Sequence, residues 1–137
     1  MKRKLLVIVT LDTKGREARF VRDCAKKNDV EALLMDVGTL GKPLVKPDIS
    51  NTEVAKAAGY DLEKIKLNND RAAAVRAVQE GGAVLANSLL LEGSIGGVLG
   101  MGGGTGTAIV AHIMRSLPFG MPKVIVSTVA SRDIREY

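Results

Sequence analysis

Aromatic side chains are almost missing from this chain: two Phe, two Tyr and no Trp among 137 residues. A core must therefore be assembled from Val, Leu, Ile, Ala and Met, the composition of buried parallel sheets. The same scarcity argues against nucleic acid as a partner, because no stacking platform is interleaved with the basic residues. The single cysteine, Cys24, excludes an intrachain disulfide. It fits a reducing, cytoplasmic setting, where it packs as a small hydrophobe. One cysteine and one histidine, His112, leave no ligand set for zinc. No apolar run approaches the ~18 residues of a membrane span. Leu5 to Val9 follows basic residues as a secretory leader would, but it is too short and runs into polar Thr10-Leu11-Asp12. Neither a Walker Gly-Lys-Ser/Thr nor a Gly-x-Ser-x-Gly elbow occurs.

Glycine, by contrast, is concentrated. Gly100-Met101-Gly102-Gly103-Gly104-Thr105-Gly106-Thr107 follows the apolar run Ile95 to Leu99 and precedes Ala108 to Met114, the order strand, glycine-rich loop, helix. Glycines let a backbone approach a ligand closely and reach positive φ. Their amides, with the positive end of the helix dipole, suit an anion, most simply a phosphate. Thr105 and Thr107 add hydroxyl donors. The plainer alternative is a tight strand-to-helix turn with close packing. The spacing matches no dinucleotide fingerprint, since the Gly-x-Gly-x-x-Gly register starting at Gly100 or at Gly102 ends in Thr.

In chain order, Lys4 to Thr10 predicts a central strand, Leu11 to Gly15 a turn, and Glu17 to Lys27 an amphipathic helix burying Phe20, Val21, Cys24 and Ala25. Val30 to Val37 predicts a second strand and Gly38 to Ser50, with Pro43 and Pro47, a long loop. A short helix capped by Asn51 or Thr52 runs to Ala58, and 61–68 is irregular or one more helical turn. The longest helix spans about Asp70 to Leu91, with Val75, Val78, Gly82, Leu85 and Leu89 inward. Gly81-Gly82 inside it serves close packing or a bend. After the glycine-rich stretch and its helix, which ends at Leu117, Lys123 to Val129 predicts a fourth strand.

Strands alternating with helices predict one domain, 1–137, with a Rossmann-like, doubly wound parallel sheet in a three-layer αβα sandwich and strand order 2-1-3-4. Ligands of such sheets bind at strand carboxyl ends where the order reverses. That rule brings Asp12-Thr13-Lys14-Gly15 opposite the glycine-rich stretch. Lys14 is then a phosphate counter-charge and Asp12 a cation or lysine partner; alternatively Asp12-Thr13 caps a helix and Lys14 is solvated. Asp36 ends the second strand where an acid meets a ribose, or forms a turn. Ser127 and Thr128 donate to the same cleft, or satisfy their strand end. His112, more than a turn into its helix, reads as a surface or groove residue. No residue pattern specifies a reaction, so the catalytic residues are unknown.

Four stretches carry a resemblance. They are Thr10 to Gly15; Asp36-Val37-Gly38 with Gly41, Pro43 and Pro47-Asp48-Ile49; Gly97 to Gly100 with Gly102-Gly103 and Gly106-Thr107; and Leu117-Pro118, Gly120, Pro122-Lys123, Val126-Ser127-Thr128 and Ala130-Ser131. Together, in order and over nearly the whole chain, they resemble the Tm-one-like ATP-binding domain family, which includes the N-terminal region of the tomato tobamovirus-resistance protein. The resemblance implies a Rossmann-like domain that binds ATP with Mg2+, forms a homodimer and stands as the N-terminal part of a two-domain architecture. It implies phosphate contacts at Gly102, Gly103, Thr105, Gly106 and Thr107, facing Asp12 to Lys14. Together with the loop and strand-end residues the expected nucleotide site is Asp12, Thr13, Lys14, Gly15, Asp36, Gly38, Gly102, Gly103, Gly104, Thr105, Gly106, Thr107, Ser127 and Thr128. The chain departs from the family at Gly104, where Ser is common, and at Arg132 and Glu136, where Gly and Pro are expected. The alternative function is a structural or protein-interaction domain without a ligand.

Overall fold

Leu6, Val7, Ile8 and Val9 are wholly excluded from solvent, and everything else is arranged around them. Successive strand side chains face opposite ways, so Leu6 and Ile8 enter one core and Val7 and Val9 the other. The structure is a computed structural model and describes residues 2–137. In order it contains β1 (Lys4–Val9), α1 (Leu11–Lys27), β2 (Ala32–Asp36), α2 (Asn51–Ala57), α3 (Leu62–Leu67), α4 (Arg71–Leu91), β3 (Ile95–Gly102), α5 (Gly104–Arg115) and β4 (Lys123–Ser127). All strand pairs are parallel and the order is β2-β1-β3-β4, as the alternation predicts. β1 lies between β2 and β3, pairing Val7 with Leu34 and with Leu99.

The two faces are unequally dressed. Leu6, Ile8, Met35 and Val98 lie in a core with residues of α2, α3, α4 and α5, including Val54, Leu62, Val78, Ile109 and Ile113. On the other face Val7, Val9, Leu34 and Met101 meet Leu11 and Ala18 of α1, and Val45 from the long loop. That loop is stitched down. The amide of Leu44 donates to Leu11 O (3.0 Å), and Gly15 leaves room for it, since a Cβ there would stand 2.6 Å from Leu44 Cβ. Asp48 and Ile49 run beside the outer edge of β2, joined by Ile49 N to Leu34 O (3.0 Å), Asp36 N to Ile49 O (2.9 Å) and Leu34 N to Asp48 Oδ2 (2.8 Å).

Several local expectations are corrected. The turn expected at Leu11 to Gly15 is already helical: Thr10 O accepts from the amides of Thr13 (3.2 Å) and Lys14 (2.8 Å), and the kink falls at Lys14 (φ −120°, ψ 25°). Phe20, expected inside, is 68% exposed, because Leu11, Gly15, Ala18 and Ala25 make the buried stripe of α1. Ser50, rather than Asn51 or Thr52, caps α2 through a reciprocal bond with Glu53, a capping box that holds the Glu53 carboxyl below its usual range. Residues 62–67 form a helix capped by Asp61, and Asp70 caps α4. Gly81 and Gly82 serve close packing: a Cβ on Gly81 would collide with the Val54 carbonyl of α2, and one on Gly82 with Ile113 of α5. β3 runs on to Gly102, so the expected loop from Gly100 contracts to Gly103 alone. β4 ends at Ser127 rather than Val129.

Candidate functional site

The carboxyl ends of β1 and β3 open together into one cleft of about 250 Å3, lined by Thr10, Asp12, Thr13, Lys14, Thr39, Leu40, Gly103, Thr105, Gly106 and Ile109. The start of α1 and the start of α5 are thus two walls of one concavity, the arrangement that adjacent β1 and β3 dictate.

The glycines between 100 and 107 divide into two groups. A Cβ on Gly100 would strike Val110, and one on Gly102 would lie 2.7 Å from Gly106 Cα and 2.5 Å from Thr107 N. These two let α5 sit directly on β3. Gly103, Gly104 and Gly106 have no such need: the nearest atom to a Cβ would be Thr128 Oγ1 at 3.7 Å, nothing within 4 Å, and Thr10 Cγ2 at 3.5 Å, respectively. The positive φ expected in this stretch is absent, for the glycines with positive φ are Gly59, Gly93 and Gly120. Gly103 itself stands at φ −85°, ψ −149°, outside the regions L-residues favour. Packing and backbone strain therefore leave Gly104 and Gly106 unexplained.

Helix ends supply a second contrast. A side-chain oxygen meets the first amides of α2 (Ser50), α3 (Asp61) and α4 (Asp70). α1 is served from a distance, since Leu11 N donates to Asp36 Oδ1 (3.1 Å). The start of α5, at Gly103, has no side-chain cap. Its leading amides carry the positive end of the helix dipole toward the cleft. Lys14 lines the same cleft and forms no ion pair among the described residues.

The other sequence-derived site residues are placed differently. Asp12 Oδ2 accepts from the amides of Leu40 and Gly41, both 3.0 Å, while Oδ1 is buried without a partner. Asp12 therefore fastens the long loop over the cleft, a long-range role that no local spacing reveals. Asp36 is 1% exposed, and its Oδ1 accepts from Leu11 N and Gly38 N (2.8 Å). Burial lifts its carboxyl above the ordinary value of 3.8 against the pull of the two amides, and the neighbouring Asp12 charge adds to the rise. Gly38 fits between the two acids, where a Cβ would come within 2.7 Å of Asp12 Oδ1. Gly15 packs on Leu44. Thr107 is buried and bonded to Ser127 (Oγ1 to Oγ 2.6 Å), which binds β4 to α5. Thr128 is exposed, with its amide on Gly102 O at 3.2 Å. Thr10, Thr39, Leu40 and Ile109 complete the lining and were not legible as site residues. Thr10 ends a strand as any Thr does, and the other three arrive through loop placement or helix rotation. Among the described residues no group of three or more His, Cys, Asp or Glu could hold a metal, and no helix is long and apolar enough to cross a membrane. His112 lies half-buried in a separate groove with Gln79 and Arg115.

The Asp36 geometry carries a prediction. Asn keeps an acceptor for Leu11 and Gly38 and sheds the buried charge. A folded-state pKa above the unfolded one means no penalty below the unfolded pKa and a growing penalty as pH rises through the folded pKa. Asp36→Asn is expected to be more stable than the parent at neutral pH, with the advantage vanishing on acidification. Asp36→Ala leaves two buried amides without acceptors, at about 1–3 kcal/mol each. Urea melts of the three proteins at mildly acidic and neutral pH check this; an Asn variant weaker than the parent at neutral pH contradicts it.

The family model described as "Uncharacterised protein family (UPF0261) N-terminal domain" matches residues 3–137. A UPF0261 protein of Clostridium tetani is 39% identical over 137 residues, all of this chain and 34% of its own length. One from Rhizobium meliloti is 39% identical over 135 residues, 98% of this chain and 33% of its own. The ToMV resistance protein Tm-1 of Solanum lycopersicum is 50% identical over 46 residues, 34% of this chain and 6% of its own. The chain thus spans about a third of the length of the UPF0261 relatives it matches. On this evidence the chain belongs to the UPF0261 N-terminal domain family.

Proposed function

We propose that the domain binds a nucleotide, ATP, with its phosphates against the leading amides of α5 and Lys14 as their counter-charge. One observation carries the reading. Gly104 and Gly106 have neither a packing nor a positive-φ reason to lack a side chain, and with Gly103 they surround the uncapped head of a helix whose cleft also holds Lys14, which forms no ion pair among the described residues. A bare helix start opposite a cation is chemistry suited to phosphate. The cleft, about 250 Å3, lies below the roughly 300–1,000 Å3 of typical small-molecule sites. It accommodates the phosphate end, and the nucleoside extends outside it. Mg2+ in this reading travels with the phosphates, since the cleft offers Asp12 as its one carboxylate and such ions keep several waters and phosphate ligands.

A second reading, an interaction domain without a ligand, draws on Gly100 and Gly102, which packing explains fully. Thermal shift with ATP, ADP, AMP and adenosine, with and without Mg2+, separates the two. The nucleotide reading expects stabilisation graded by phosphate number. Lys14→Ala is expected to weaken ATP by about 1.5–3 kcal/mol, the range for hydrogen bonds to charged groups, and AMP by less. Its own melting temperature stays put, since the Lys14 side chain forms no ion pair among the described residues. No shift with any of the four favours the interaction reading. ATP affinity unchanged by Lys14→Ala removes Lys14 from the site.

A further inference from the structure

The two edges of the sheet are treated differently. β2 is shielded by the chain's own Asp48-Ile49 segment. On the side away from β3, no strand among the described residues pairs with β4. Val124, Ile125 and Val126 are 55%, 40% and 56% exposed. Edge strands of soluble proteins are ordinarily guarded by charge, proline or a covering segment. The one charged residue of β4, Lys123, is turned inward, its Nζ donating to Leu117 O (3.2 Å) and Pro118 O (2.8 Å).

Both faces of this strand are only partly covered: α5 packs on one of them, where Tyr137 also lines the groove. Val124 and Val126 pair with Leu99 and Met101, on the side where α1 is the single covering helix. Ile125 lies on the other side, in a groove of about 490 Å3 lined also by Met114, Leu117 and Phe119, and Phe119 is entirely exposed. An uncovered edge flanked by apolar surface above and below has the character of a sheet interior.

We propose that β4 is an internal strand of a wider sheet, completed by a strand from the polypeptide that follows this domain in its longer relatives. The family is described as an N-terminal domain, and the chain covers 34% and 33% of the Clostridium tetani and Rhizobium meliloti proteins. Those proteins therefore hold ample further chain, and in this domain nine residues lie between Ser127 and Tyr137. A second copy of the domain is the competing occupant.

Hydrogen exchange on this chain and on the intact Clostridium tetani protein tests the proposal. In this chain, the amides of Lys123 to Ser127 that point away from β3 exchange freely. In the intact relative, the aligned strand is expected to be protected along its whole length, with those same amides slowed at least about a hundredfold. The protection must hold at concentrations where light scattering gives a monomer. Free exchange of the outward amides in the intact relative overturns the proposal. So does protection that appears only with dimerisation, which assigns the edge to a second copy. Replacing both Val124 and Val126 by Lys leaves this chain's melting temperature unchanged, because both already face water. The equivalent pair of changes lowers it in the intact relative; equal tolerance in both proteins also overturns the proposal.

Discussion

Gly81→Ala is expected to be among the most damaging single-methyl additions in the domain. The new Cβ would overlap the carbonyl oxygen of Val54, and it would also lie 3.2 Å from the amide nitrogen of Ala55. Both are backbone atoms, so no rotamer change relieves the overlap and α2 must move off α4. The expected cost is about 3 kcal/mol, the upper end of ordinary overpacking, or a fall in melting temperature of roughly 10 °C. Gly82→Ala is the control. Its Cβ meets the outer carbons of the Ile113 side chain, which can turn aside. Alanine also returns up to about 1 kcal/mol of helix propensity. That variant is expected to lie within about 1 kcal/mol of the parent. Circular dichroism melts of the two side by side decide it: equal effects would mean that α2 does not rest on Gly81 as described.

Gly102→Ala carries the second large effect. Its Cβ would lie 2.7 Å from Gly106 Cα, so the first turn of α5 must lift from the end of β3. The expected loss is again about 3 kcal/mol. Any ligand held at the head of α5 should be lost with it, since the lifted turn forms one wall of the cleft. Gly104→Ala, two residues on, places its methyl in open space and is expected to stabilise the empty domain by up to about 1 kcal/mol. Urea denaturation of both variants measures the contrast. A Gly102→Ala protein as stable as the parent would show that strand and helix are further apart than described.

These two pairs also show where reading residues in order succeeds and where it stops. The sheet order was legible because apolar runs alternated with helical segments and crossover handedness leaves few topologies. The shared cleft was legible for the same reason, since adjacency of β1 and β3 puts Lys14 and Gly103 on one end of the sheet. The end of β3 was not. Gly100 and Gly102 look like loop residues, yet they extend the strand because α5 leans on them. Nor was the work of Asp12, whose partners Leu40 and Gly41 lie far along the chain, or the bond from Leu11 to Asp36; the bond from Gly38 to Asp36, two residues apart, is the local turn that the sequence did offer. Phe20 was misplaced because one amphipathic face was drawn too wide, while smaller Gly15 and Ala18 make the actual contact.

The central position of β1 has a consequence for synthesis. Val7 precedes its partner Leu99 by most of the domain. At roughly 5–20 residues per second, the ribosome takes several seconds to deliver it. In that interval β1 can pair with β2 and lie under α1, leaving its other edge, and the face that carries Leu6 and Ile8, open to neighbouring chains. Non-local parallel pairing is slow in any case. The innermost strand of the finished domain is therefore its most vulnerable segment while the chain is being made, and a nascent-chain chaperone would act there first.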